Sequence, residues 1–137
     1  DTASVVLGGA RGGWLQVSSI RTKLGRSKAR LIGIDLLDTE GVVGADIFTG
    51  DMTDPEMLEK VRLAIGGTAD GVLSDMAADT TGHRPTDHLR TTALLEAALD
   101  FAIDVLNKNG FFLAKCFIKM MKIIIYLDYF NSIQLCH

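Results

Sequence analysis

Residues 4–14, Ser4-Val5-Val6-Leu7-Gly8-Gly9-Ala10-Arg11-Gly12-Gly13-Trp14, constrain this chain more than any other stretch. A β-branched apolar run enters a segment with glycine at four of six positions, and an apolar-periodic segment (Leu15, Val17, Ile20, Leu24) leaves it. The pattern predicts strand, tight turn and helix. Glycines let the backbone take positive φ and let a ligand approach main-chain atoms, while the first amides of the following helix have no partner within it. Open α/β sheets bind ligands at the carboxyl ends of their strands, so a site is expected here. The turn does not carry a dinucleotide fingerprint, because no glycine opens a G-x-G-x-x-G spacing. Gly8 and Gly13 match the outer glycines of a P-loop, but Trp14-Leu15 stands where Lys and Ser or Thr must hold phosphates and Mg²⁺. What remains suits a ligand of amino-acid and nucleoside character better than a nucleotide phosphate. A glycine-rich turn that only packs is the competing reading.

Further along, the second and fourth strand patterns each run into a carboxylate. Leu31-Ile32-Gly33-Ile34-Asp35 reads as a second buried strand. An acid about twenty residues beyond a glycine turn is where nucleoside-binding α/β domains grip ribose hydroxyls, so Asp35 is a candidate, with strand-end solvation as the alternative. Residues 46–54 read as a short strand and a turn, with Thr53 or Asp54 as helix cap, Pro55 at the first helical position and Glu56 in the first turn. Asp51 is placed to accept from an adenine amino group, or to close an Asx turn. The helix from Glu56 to about Ile65 stops at Gly66-Gly67. Asp70 to Asp79 reads as a fourth strand running into a carboxylate, and Asp75 is expected to face the glycine turn. Thr80 to Pro85 is read as loop. A long amphipathic helix is expected from Thr86 or Asp87 to Leu106, stopped by Asn107-Lys108-Asn109-Gly110. Residues 111–117 form the fifth strand, interrupted by Lys115. A lysine inside an apolar strand is costly unless its ammonium reaches a carboxylate or a cleft. Asp75 is its natural partner; an edge-strand lysine reaching to water is the alternative.

The rest of the chain bounds the answer. Its 137 residues fit one domain, and a 47% hydrophobic composition supplies a core. A net charge of −3 argues against binding nucleic acid through overall charge, although Arg21, Lys23, Arg26, Lys28 and Arg30 cluster locally. Such a run is ordinarily a solvated helix end, and contact with RNA phosphates is its functional alternative. Cys116 and Cys136 are too few for a disulfide framework, so a reducing compartment is expected. No stretch reaches the roughly eighteen apolar residues of a membrane span. His83, His88 and His137 fall in no metal-binding arrangement, and no G-x-S-x-G turn is present.

Taken together, Gly12-Gly13-Trp14-Leu15-Gln16, Asp35-Leu36-Leu37, Val43-Gly44-Ala45-Asp46 with Gly50-Asp51, and Ser74-Asp75-Met76-Ala77 followed by Lys115 resemble the FtsJ family of S-adenosylmethionine-dependent ribosomal RNA ribose 2′-O-methyltransferases. The match covers residues 4 to about 117. It departs at Val6, where the family has an acid, and at Arg11, where it has proline. The resemblance implies an α/β fold: a doubly wound, mostly parallel, Rossmann-like sheet with helices on both faces and its C-terminal strands incomplete. It implies a partial methyltransferase domain over residues 1–117 and a divergent apolar tail over 118–137, expected to fold back as a strand or a helix over the fifth strand. It further implies S-adenosyl-L-methionine as cofactor, held by Gly12, Gly13, Trp14, Asp35, Asp51 and Asp75. By the same resemblance Asp75 and Lys115 are expected to be catalytic, two members of a Lys-Asp-Lys-Glu set whose other members the chain is expected to lack. The implied activity is 2′-O-methylation of a ribosomal RNA uridine, with a binding-only, catalytically impaired remnant as the alternative. The expected partner is ribosomal RNA or the large ribosomal subunit. Neither metal nor membrane is expected, the chain is expected to be a monomer, and its location is expected to be cytoplasmic or, alternatively, mitochondrial.

Overall fold

The structure, a computed structural model, describes residues 2–8, 29–36, 45–74, 82–118, 121–127 and 133–136. Five strands run parallel: β1 (Thr2–Leu7), β2 (Ala29–Asp35), β3 (Ala45–Thr49), β4 (Ala69–Ser74) and β5 (Leu106–Ile118). Two helices, α1 (Pro55–Ile65) and α2 (Arg84–Val105), precede β4 and β5. The apolar tail does fold back, as β6 (Met121–Leu127) and β7 (Ile133–Cys136), each antiparallel to the strand before it. The sheet order is β3-β2-β1-β4-β5-β6-β7. From β1 the chain steps outward to β2 and β3, then returns to the other side of β1 for β4 and β5. This reversal makes the sheet doubly wound and puts its switch point between β1 and β4.

The strand sequences explain the layering. Val5, Val6 and Leu7 are fully buried, as expected of a central parallel strand covered on both faces. Alternation sends Ala3, Val5 and Leu7, with Ile32, Ile34, Val72, Phe112 and Ala114, into the main core. Met57, Val61 and Ile65 of α1 and Ala98, Phe101, Ala102 and Val105 of α2 enter that same cluster, so both described helices cover one face. Val6 and Leu31 point to the other face, where Ala45, Ile47 and Leu73 pack against them.

Helix α1 begins and ends as its sequence requires. The Asp54 carboxylate accepts from the Glu56 amide at 3.0 Å, Pro55 stands in the first turn, and Gly66 closes the helix at φ 72° with its amide on the Arg62 carbonyl. Arg30, the last of the basic cluster, donates from Nη1 to the Ile65 carbonyl at 3.0 Å. It therefore satisfies one of the unpaired carbonyls at the end of α1. The other four cations of that cluster lie outside the described residues. Burial outweighs capping here: each fully buried aliphatic contributes about 1.5–3 kcal/mol, against about 1 kcal/mol for a cap. The apolar stripe holds α1 on the sheet, and the caps set its limits.

Two boundaries differ from those the sequence predicts. Helix α2 starts at Arg84 rather than at Thr86 or Asp87, with His83 as its N-cap residue. The Asp87 amide bonds the His83 carbonyl at 3.0 Å, and Thr86 Oγ1 lies 2.7 Å from His83 Nδ1. Pro85 is tolerated because a first-turn residue has no helical hydrogen bond to lose. Residues 107–110, expected to stop α2, belong to β5. The stop comes one residue earlier, and the polar run is absorbed by a bulge: Ala69 pairs with Leu106, but Gly71 pairs with Phe111. Asn107 Nδ2 donates to Asp70 Oδ1 at 2.5 Å, Asp70 Oδ2 accepts from the Ala3 amide at 2.8 Å, and Asn107 Oδ1 accepts from the Asn109 amide at 3.0 Å. One carboxylate thus ties β1, β4 and β5 together at the end of the sheet where these strands begin.

Candidate functional site at the carboxyl ends of the parallel strands

The pairing across the sheet fixes which residues can meet. Leu7 of β1 pairs with Ile34 of β2 and Ser74 of β4, and Ser74 pairs with Ala114 of β5. One residue further along each strand stand Gly8, Asp35 and Lys115, in one row at the carboxyl edge. Beside this row the Phe111 ring of β5 lies against Gly71 of β4, where a Cβ would come within 2.6 Å of the ring and force it to shift.

At Gly8 the chain leaves β1 with φ 78°, and its amide donates to the Ile34 carbonyl at 2.8 Å. This is the first residue of the glycine turn, and its left-handed backbone is one that glycine adopts freely. The remainder of the turn, including the predicted site residues Gly12, Gly13 and Trp14, lies outside the described residues.

Asp35 ends β2 and is half-buried. Its carbonyl accepts from the Gly50 amide at 2.8 Å, which fastens the end of β3 to the end of β2. Asp51 follows at once and is exposed. Two carboxylates therefore occupy adjacent strand ends. Asp51 closes an Asx turn: its Oδ1 accepts from the Thr53 amide at 2.9 Å and from the Thr53 hydroxyl at 2.7 Å. The Thr53 amide, and after it the Thr53 hydroxyl, hold the Asp51 carboxyl below the usual carboxylate range against a small opposing effect of burial. Near neutral pH Asp51 is ionised and acts only as an acceptor. The sequence named Thr53 as a possible helix cap; its pairing with Asp51 is a role that Asp-x-Thr spacing could have revealed.

Lys115 sits on β5 between β4 and β6, paired with Ile124, and is half-buried. It is not on an edge strand, which removes the edge-lysine alternative. Strand alternation puts it on the face opposite Phe112 and Ala114, the face of Leu113. Asp75, its predicted partner, lies outside the described residues. The described register ends one residue short of it, at the pair of Ser74 with Ala114. Asp35 and Lys115 are separated by three strand spacings, about 14 Å. A ligand that touches both must span the switch point. Among the described residues no group of three His, Cys, Asp or Glu could hold a metal ion, and no helix is long and apolar enough to cross a membrane.

Comparison with known proteins gives a consistent result. The model of the family described as FtsJ-like methyltransferase matches residues 1–133. A ribosomal RNA large subunit methyltransferase E from Mesorhizobium japonicum is 50% identical over 111 residues, which are 81% of this chain and 42% of that protein. The chain thus spans less than half the length of that curated relative. Among solved structures, a Plasmodium falciparum protein assigned as a ribosomal RNA methyltransferase superimposes with TM-score 0.77 at 22% identity, covering 86% of this chain and 68% of that one. The MycE methyltransferase of the mycinamycin biosynthetic pathway, solved with Mg and SAH, superimposes with TM-score 0.58 at 17% identity over 84% of this chain and 28% of its own. At these identities the two structures bear on the fold alone.

Proposed function

Since the chain belongs to the FtsJ-like methyltransferase family, we propose that it takes part in S-adenosylmethionine-dependent methylation of a ribosomal RNA ribose 2′-hydroxyl, with a uridine as target. The observation that carries this reading is the register of β4 with β5, beside the switch point. Lys115 stands directly beyond the Ser74 and Ala114 pair, on an interior strand, at the strand end whose sequence continues into Asp75. This half-buried lysine brings a cation to the carboxyl edge of the sheet, where the chemistry has a use for it.

The described residues fit the donor by their chemistry. An adenosyl group presents ribose hydroxyls and an exocyclic amine, all of which can donate, and Asp35 and Asp51 bring two carboxylates to neighbouring strand ends. Gly8 leaves β1 with a left-handed backbone, and the glycines that follow it in the sequence carry no Cβ to block close approach. When bound, S-adenosylmethionine supplies a methyl group already made electrophilic by its sulfonium. The protein's part is to align a 2′-oxygen in line with that methyl and to handle one proton. Lys115 serves at Nζ as the base or orienting group for the hydroxyl proton, and Asp75 steers Lys115 and the donor. Gly12, Gly13 and Trp14 complete the donor site in this reading. The partner is ribosomal RNA or the large ribosomal subunit, met by a monomer in the cytoplasm or, alternatively, in the mitochondrion.

The test is transfer of tritium from labelled donor to large-subunit ribosomal RNA. Lys115→Ala is expected to lower the rate by roughly 10²- to 10⁴-fold, the usual contribution of a positioned acid or base, with donor binding retained. Transfer that survives this change would remove Lys115 from the chemistry. Calorimetric donor binding with no transfer by the unaltered chain would favour the binding-only alternative.

A further inference from the structure

The turn that joins β3 to α1 holds the exposed Asp51 carboxylate by two bonds from Thr53. Met52, between Asp51 and Thr53, is buried in the main core. Asp54, after them, caps α1, and its amide donates to the Asp51 carbonyl at 3.1 Å. Thr53 is therefore fixed from both sides by its neighbours. It is itself exposed, and in this turn its hydroxyl donates to the Asp51 carboxylate at 2.7 Å.

The consequence lies in how the two carboxylate oxygens divide their work. An ionised carboxylate offers about four lone-pair sites, two on each oxygen. Thr53 uses both sites of Oδ1, one through its amide and one through its hydroxyl. Any donor outside the turn is left to Oδ2, and rotation of the carboxylate is arrested before a ligand arrives. Loss of side-chain freedom on binding weakens affinity, so a group already immobilised binds more tightly than a free one.

We propose that Thr53 is a positioning residue for the methyl donor: by holding Oδ1 of Asp51 it presents Oδ2 to the adenine amino group in a single orientation. This rests on the reading above that Asp51 contacts the donor. The lowered position of the Asp51 carboxyl agrees with it, since the same two bonds favour the charged acceptor.

S-adenosylhomocysteine is the probe, titrated calorimetrically into the full chain and into Thr53→Val, Thr53→Ser and Asp51→Asn. Valine keeps the shape and the amide but loses the hydroxyl; serine restores the hydroxyl. Thr53→Val is expected to raise Kd about three- to tenfold, the effect of one hydrogen bond, and to raise the donor KM by a like factor with kcat unchanged. Thr53→Ser is expected to return Kd to within about twofold, and Asp51→Asn to weaken binding at least as much as valine does. Unaltered affinity in Thr53→Val beside weakened affinity in Asp51→Asn would overturn the role of Thr53 and leave that of Asp51 standing. Weakening by valine that serine does not rescue would also overturn it, since that marks a general loss of turn structure. Unaltered affinity in Asp51→Asn, or no binding by the unaltered chain, would overturn the assignment of Asp51 and this inference with it.

Discussion

At Gly8 a single backbone angle does two things, since φ 78° both ends β1 and begins the turn that the donor is expected to face. An L-residue held in that left-handed region is disfavoured by about 1–2 kcal/mol. Gly8→Ala is therefore expected to lower unfolding free energy by about that amount, read as a fall in urea midpoint with an unchanged slope. A neutral result would mean that the turn relaxes without cost. The same residue shows why part of the site can be read from the sequence. A glycine cluster after an apolar run has few uses, and its first member does what the composition suggests. Asp51 is less legible because its position was compatible both with an Asx turn and with adenine recognition, and the structure supplies the turn: both bonds to Oδ1 come from Thr53. Arg30 is less legible still. Its bond to the Ile65 carbonyl joins residues far apart in the chain, and nothing local in a basic run foretells which carbonyl one of its members will reach.

The elements follow local chemistry where local chemistry is decisive. Helix α1 has an acid N-cap, a first-turn proline and a C-terminal glycine, and its limits fall where those residues put them. Asp54→Ala is expected to cost about 0.5–2 kcal/mol, whereas Asp54→Asn, an equally good cap, should cost little; urea denaturation of the two variants separates capping from any other role of the carboxylate. An equal loss in both would point to the charge near the helix N-terminus rather than to the bond. Helix α2 and β5 are decided by distant partners instead. Asn107 to Gly110 looks like a helix stop in sequence, yet Asn107 is drawn into β5 by Asp70, a residue of β4 that also holds the Ala3 amide of β1. Three strands must assemble before that carboxylate has its partners, so no window of sequence around residue 107 contains the reason. The earlier start of α2 is smaller in scale but similar in kind: Thr86, a good cap by type, has its hydroxyl engaged with His83.

For the molecule as a whole, the switch between β1 and β4 was foreseeable from alternating strand and helix patterns, and the order β3-β2-β1-β4-β5 meets that expectation. The tail was harder to place, since a short apolar run fits strand and helix alike. Its place in the sheet matters for the site, because it turns β5 from an edge into an interior strand and so encloses the backbone that carries Lys115. An open sheet still has two edges. One is β3, five residues long with Asp46 and Thr49 exposed, and the other is β7, four residues that pair with only Ile124–Leu127 of β6. Short edges, and charge on an edge, discourage pairing with another chain. Removal of everything after Ile118 would replace β7 by β5 as the edge. That strand is thirteen residues long, and in Phe111 to Phe117 it has one charge among apolar residues. A long apolar edge of this kind is a template for association. The full chain is accordingly expected to elute as a monomer in size-exclusion chromatography with light scattering, and the chain ending at Ile118 to form aggregates under the same conditions. Should the shortened chain remain monomeric at high concentration, β6 and β7 would not be what protects β5, and the enclosure of Lys115 would have to come from elsewhere in the molecule.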